Sequence, residues 1–333
     1  MVNLEGDPPY LKPERLMVLT EITASSKTAE EPKQVAVYPK RKIAAISCMK
    51  GRAIQFFSYS NNDLKLIKQI NFADQCVEAV ISGKYCFVTA TNFSRFINQK
   101  SYLIVVDLET LKVVSKIDTR GVWSKAIAVS PKWKTAFVSN WRSNDISVVD
   151  ISDVKNPQII QLIPCGKSPR GMAISKNSVW VAGYYSRNIS EIQRRLGRKF
   201  EVFYTTPPFD SKKYQGNMRD ILISKDGEKA YISNMGRNLV HIFSVEEKAF
   251  TASLVVGKYP NSLSFADEKE NKLIVSCRKS NSVYVIDLKD LAVAGRSQVT
   301  GEIPTGLASI KGGFLSTSLE NNKLELHKWI GRD

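Results

Sequence analysis

The stretch Gly257-Lys258-Tyr259-Pro260-Asn261-Ser262-Leu263-Ser264 recurs in this chain. It returns as Gly166-Lys167-Ser168-Pro169-Arg170-Gly171-Met172-Ala173 and as Gly301-Glu302-Ile303-Pro304-Thr305-Gly306-Leu307-Ala308. Each copy reads as a turn feeding a strand of small residues. An apolar strand follows, then a polar turn, then a strand of the Ser282-Val283-Tyr284-Val285-Ile286-Asp287 type. Self-similarity of this kind constrains a fold more tightly than local propensity does, because each unit must bury its faces against copies of itself.

With Leu263 as the marker, the equivalent positions are Val35, Ala79, Ile127, Met172, Ile221, Leu263 and Leu307, spaced by 44, 48, 45, 49, 42 and 44 residues. Periods of about 40–50 residues with four short strands each are the signature of propeller blades. The spacing predicts an all-β, seven-bladed β-propeller of four-stranded antiparallel blades. The last repeat is one strand short, and Leu16–Ile22 alternates ahead of the first marker. That segment is expected to complete the last blade and close the ring, which removes an exposed strand edge. Residues 1–15, rich in proline and charge, are expected to form an extended lead-in to a single propeller domain over 16–333.

The runs Ala136-Phe137-Val138-Ser139-Asn140, Ala230-Tyr231-Ile232-Ser233-Asn234 and Leu273-Ile274-Val275-Ser276-Cys277 alternate with Ile146-Ser147-Val148-Val149-Asp150, Ile104-Val105-Val106-Asp107 and Val283-Tyr284-Val285-Ile286-Asp287. In these runs and in its Gly-x-x-Pro turns, the chain resembles the YVTN-type β-propeller repeat family over nearly all its length after Pro32. Blades 1, 2 and 4 are degenerate. The resemblance implies the fold and, through YncE-like periplasmic members that look like DNA binders, a bacterial binding protein. It implies a periplasmic or cell-surface location with an export signal absent from this chain. The first residues do not read as a signal peptide, so a cytoplasmic location is the alternative.

No run of 18 or more apolar residues exists, so no transmembrane helix is expected. Five cysteines (Cys48, Cys76, Cys86, Cys165 and Cys277) show no Cys-x-x-Cys spacing. They read as small buried hydrophobes, with a Cys76–Cys86 bridge as the alternative. Lysine and arginine total 48 against 32 acidic residues, a net charge of +16. Such a balance favours an anionic polymer as partner, or serves only to keep the chain dissolved.

In a propeller, equivalent positions of successive repeats surround one axis. Two residues before the markers stand Lys33, Val77, Lys125, Arg170, Arg219, Asn261 and Thr305, four cations and no acid, with Glu78 and Asp220 as the nearby carboxylates. The turns between second and third strands open on the same mouth and bring Arg142, Arg237 and Arg278. Trp123, Trp141, Tyr184 and Tyr185 supply flat rings. Cations interleaved with aromatics suit an anionic macromolecule, either single-stranded nucleic acid or an acidic glycan. Two long interruptions, 91–100 in blade 2 and 194–217 in blade 4, are candidate contacts for a protein partner, in the manner of a scaffold in a bacterial envelope assembly.

Little in the sequence supports catalysis. His241 and His327 fall within third strands, and carboxylates are scarce at the mouth. No P-loop, nucleophile elbow or zinc-ligand spacing occurs. No catalytic residue, metal ligand or cofactor is assigned. A lactonase or lyase remains the enzymatic alternative to a non-enzymatic, monomeric binding propeller. The recurring Asn144, Asn188, Asn238 and Asn281 read as turn residues that tolerate positive φ. Asp107, Asp150 and Asp287 read as caps of the opposite turns.

Overall fold

The computed structural model describes Lys12, Glu14 and residues 16–93, 99–207 and 216–331. Among these are seven four-stranded antiparallel sheets and no α-helix. The innermost strands of blades 1 to 7 are Pro32–Tyr38, Gln75–Ser82, Ser124–Ser130, Pro169–Ile174, Met218–Ile223, Pro260–Phe265 and Pro304–Ile310. Each blade then meanders outward, so the expected seven-bladed propeller is the fold. Most of the 1–15 lead-in lies outside the described residues, as do 94–98 and 208–215 of the two interruptions.

The second and third strands carry long apolar runs because both faces of each sheet are covered. In blade 1, Ile43 and Ala45 pack with Cys76, Ala79 and Val88 of blade 2. The residues between and after them, Ala44 and Ile46, pack with Leu315, Leu324 and Leu326 of blade 7. Successive side chains of a strand point to opposite faces, so each strand feeds two interfaces. Seven such buried clusters separate the seven blades.

The ring closes between the two ends of the chain, with one shift from expectation. The closing strand is Thr20–Lys27, antiparallel to Lys323–Trp329, rather than Leu16–Ile22. The preceding residues serve a different blade. Val18 bridges Arg296 in parallel, with Leu19 N–H to Arg296 O at 2.8 Å and Arg296 N–H to Met17 O at 2.9 Å. Leu16 and Leu19 of this segment pack in the clusters on the two sides of the sixth blade, Met17 and Val18 stay exposed, and Ile22 falls within the mostly polar ladder that closes the seventh. On the inner side, Gly306 lies so close to blade 1 that a Cβ there would sit 2.7 Å from the Gln34 Cα. Only glycine fits such an approach.

All five cysteines are unpaired, so the Cys76–Cys86 bridge is absent. Burial drives the thiols of Cys48 and Cys86 up to about 12 and that of Cys165 to about 11. They behave as small core residues, in keeping with weak nucleophilicity.

Candidate anion-binding site at the axial channel

Every position of the cationic column falls in an irregularity of the innermost strand. The pairing register breaks between Pro32 and Gln34, Cys76 and Glu78, Ser124 and Ile127, Pro169 and Met172, Met218 and Asp220, Pro260 and Leu263, and Pro304 and Leu307. A bulge leaves its residue unpaired and re-aims the side chain, here toward the axis. The main chain at the bulge is then tied down by the neighbouring blade. Thr89, Ser139, Ser233 and Ser276 hydroxyls donate to the carbonyls of Lys125, Arg170, Asn261 and Thr305 at 2.7–2.9 Å. The same hydroxyls accept N–H groups of their own innermost strands; that of Ser139, for example, accepts Ala126 N–H at 3.0 Å. Blade 4 has Ala182 at this position and cannot make the bond; there Gly171 instead comes close to the backbone of Arg219 and Asp220.

Lys33, Arg170, Arg219, Asn261 and Val77 line one axial cavity of about 150 Å³ together with Glu78 and Asp220. Lys125 is not among the lining residues: its Nζ lies 3.8 Å from the Phe93 ring centroid and 5.7 Å from that of Trp123, near enough to feel Arg170, Lys33, Arg219 and Glu78. The bulge explains the carboxylates: where register breaks, the residue after the column turns inward as well. Glu78 faces Arg170 at 3.7 Å. Asp220 accepts the N–H of Ile221 and, from the next blade, of Leu263, both at 3.0 Å. Arg219 Nε donates to Asn261 Oδ1 at 2.9 Å. Four cations thus face two carboxylates, one of them occupied by backbone donors.

This imbalance shows in the titration of the groups. Burial, then Arg219, Arg278 and Arg170, holds Lys33 well below the ordinary lysine range, with Glu31 opposing. Burial, then Arg170, Lys33 and Arg219, does the same to Lys125, with Glu78 opposing. Burial raises Glu78 and Asp220, while Arg170 and Arg219 pull both back down. Opposed shifts of this kind in one cleft are a mark of functional sites and of structural ion-pair networks alike.

The turns between second and third strands are pinned to the loops leading into the innermost strands. Trp141 N–H bonds Trp123 O at 3.1 Å, Tyr184 N–H bonds Ser168 O at 3.0 Å, and Arg278 N–H bonds Tyr259 O at 3.0 Å. This gathers the aromatics into one wall beside the channel. Trp123 and Trp141 stack at 5.4 Å and 18°, Phe93 meets Trp123 edge-on at 5.2 Å, and Tyr185 lies 5.4 Å from Trp141 and 5.0 Å from Tyr184. Arg142, exposed, lies over Trp123 and donates to Gln99 Oε1 at 3.2 Å. Arg278 is half-buried near Arg219, Tyr184, Glu320 and Glu31. Arg237 is buried, and its turn neighbour Met235 receives the Tyr184 hydroxyl of the aromatic wall at 3.8 Å.

Phe93, Asn261, Glu78 and Asp220 were not among the sequence-selected contacts. The asparagines hold turns at positive φ at 144, 238 and 281, and do more than that. Their Oδ1 atoms accept the N–H of Ser168, Tyr259 and Ile303, each the left-handed residue two before the next blade's column position. Asn322 treats Glu31 likewise across the closure. In blade 4 Arg187 takes the positive φ, and Asn188 Oδ1 accepts from Ser186. On the opposite face Asp107 and Asp287 accept turn N–H groups of residues two and three positions on, as caps do. Both histidines are buried in third strands, between Asn234 and Ser253 and between Ser297 and Ser316, and burial pushes both down to about 3. Among the described residues no cluster of three or more His, Cys, Asp or Glu could hold a metal ion.

Comparison with known proteins agrees with this architecture. The model of the family described as "Lactonase, 7-bladed beta-propeller" matches residues 186–294, well under half of the chain. "Antigen Lp49" of Leptospira interrogans is 29% identical over 232 residues, covering 63% of this chain and 48% of its own length. The chain therefore spans about half the length of that curated relative. Two solved structures share the fold at a TM-score of 0.68, each covering 82% of this chain. One is a functionally unknown protein from Desulfotomaculum acetoxidans, 14% identical, with 87% of its chain covered. The other is the periplasmic gluconolactonase PpgL of Pseudomonas aeruginosa, 16% identical, with 86% of its chain covered. The chain is a seven-bladed β-propeller.

Proposed function

We propose that this propeller is a non-enzymatic binding protein whose channel mouth takes an acidic glycan. The carrying observation is the convergence of Lys33, Arg170 and Arg219 on one cavity, against only Glu78 and Asp220, with Lys125 within electrostatic reach of them. Guanidinium and ammonium groups satisfy carboxylate or sulfate oxygens, and the aromatic wall offers faces to sugar rings. Single-stranded nucleic acid fits less well. The rings pack on one another, so they do not form separate platforms for successive bases. Likeness to YVTN-type, YncE-like propellers supports a binding role, and a relative described as an antigen suits a periplasmic or cell-surface setting. Titration with polygalacturonate, heparin and single-stranded DNA at two salt concentrations tests the reading. Glycan binding that weakens with salt supports it, and negligible glycan binding at low salt removes it.

One observation favours a second reading. The match of residues 186–294 to the lactonase model, together with lysines held low in pKa beside carboxylates raised by burial, suits lactone hydrolysis. Hydrolysis of glucono-1,5-lactone no faster than the buffer rate excludes that activity for this lactone.

A further inference from the structure

The axial cavity differs from the mouth above it. The mouth is walled by the part-exposed rings of Trp123, Trp141 and Tyr184 and by exposed Tyr185. The cavity is small, and its lining cations, Lys33, Arg170 and Arg219, outnumber the carboxylates of Glu78 and Asp220. Arg170 is 6% exposed, and its Nη1 makes no hydrogen bond. Its nearest carboxylate, Glu78, stands at 3.7 Å, beyond hydrogen-bond range. Lys33 and Lys125 are part-buried and make no hydrogen bond and no ion pair within 4 Å among the described residues; Lys125 Nζ rests instead 3.8 Å from the Phe93 ring centroid. A buried guanidinium whose nearest carboxylate stands beyond hydrogen-bond range is costly, so a site that keeps one has a use for it.

The volume narrows what that use is. About 150 Å³ is below the roughly 300–1,000 Å³ of pockets that enclose whole small molecules, yet it is about ten times the space one water needs. It holds an oxyanion and the carbons next to it. A sugar in the interior of a chain could bring its acid group there only by looping the chain on both sides through the mouth. We propose that the cavity seats a single terminal oxyanion, a carboxylate or a phosphate monoester, so that the protein reads the ends of an acidic glycan rather than its interior. This inference rests on the glycan reading of the mouth.

Proton uptake is a second readout. Lys33 faces Arg219, Arg278, Arg170 and Glu31, and Lys125 faces Arg170, Lys33, Arg219 and Glu78. A bound anion offsets the like charges that hold both lysines low, and so draws a proton onto the pair. Binding is expected to weaken as pH rises and to show a heat that varies with the ionisation enthalpy of the buffer.

The experiment is calorimetry with galacturonate, galacturonate trimer, long polygalacturonate and glucose 6-phosphate, all at low salt. The expected result is one protein per chain whatever the chain length, with the monomer competing for the site. Galacturonate against glucose 6-phosphate then separates a carboxylate seat from a phosphate seat. Lys125→Met and Arg170→Gln should each weaken the bound ligand about tenfold. Lys125 leaves no carboxylate or hydrogen-bond partner behind, only the faces of Phe93 and Trp123, so that variant keeps the test meaningful if Arg170→Gln fails to fold. Several proteins per polymer chain, with no competition from monomer, would overturn the end-reading seat and leave the mouth reading intact. No binding of any uronate would overturn both.

Discussion

Ser139→Ala removes one hydroxyl and two bonds. The Ser139 side chain is fully buried, accepts Ala126 N–H at 3.0 Å and donates to Arg170 O at 2.9 Å in the next blade. Alanine leaves a backbone donor and a backbone acceptor without partners at a site closed to bulk water. Each unsatisfied group costs about 1–3 kcal/mol, and partial relaxation brings the expected total to about 2–4 kcal/mol. For 333 residues, an unfolding entropy of about 2.1 cal/mol/K per residue converts this to a fall in melting temperature of about 3–6 °C. Thermal melts followed by circular dichroism are the assay, with exposed Ser152→Ala as the control expected within about 0.5 kcal/mol. Anion affinity should fall as well, because the bond fixes the backbone from which Arg170 reaches the channel. A Ser139→Ala protein that melts within 1 °C of wild type would refute the view that hydroxyl ties between blades set the column.

Lys248→Met strips the partner from Glu191, which is buried and bonded to Lys248 Nζ at 2.5 Å between blades 4 and 5. A loss of about 3 kcal/mol is expected by urea denaturation, less if the bond from Gln193 to Glu191 holds the carboxylate. Lys125→Met should act in the opposite sense on the free protein and raise its melting temperature, since it deletes a charge held among like charges. The folded-state pKa of Lys125 is depressed, so its cost is absent above the unfolded lysine pKa and grows as pH falls; the advantage of the variant should shrink in strong alkali. His241 and His327 are depressed to about 3 from 6.5. The stability they represent is full above pH 6.5 and is lost as pH falls toward 3, at up to about 1.4 kcal/mol per pH unit for each. Denaturant midpoints measured from pH 7 to pH 4 check that slope.

The architecture was legible because the repeat carries it: seven markers at nearly even spacing leave few other ways to bury both faces of each sheet. The shared axis of Lys33, Arg170 and Arg219 was legible for the same reason, even through divergent blade 4. What escaped the sequence depends on side-chain direction. Arg237 belongs to a mouth turn in sequence yet is wholly buried. Glu78 and Asp220 looked like mere neighbours of the column, and only the register break turns consecutive residues toward one channel. The asparagines read as turn residues, and their Oδ1 grip on the next blade has no local signature. Leu16–Ile22 alternates as a closing strand should, although Leu16 and Leu19 pack beside blade 6 and Thr20–Lys27, which includes Ile22, makes the ladder.

The central claim is that converging, under-paired cations at the channel form an anion site, and Trp123 and Trp141 beside it provide the signal. Intrinsic fluorescence titrated with polygalacturonate across a series of salt concentrations measures it most directly. The account predicts saturable binding whose affinity falls steadily with salt and is weakened in Lys33→Met and Lys125→Met. Affinity indifferent to both salt and these substitutions would contradict it.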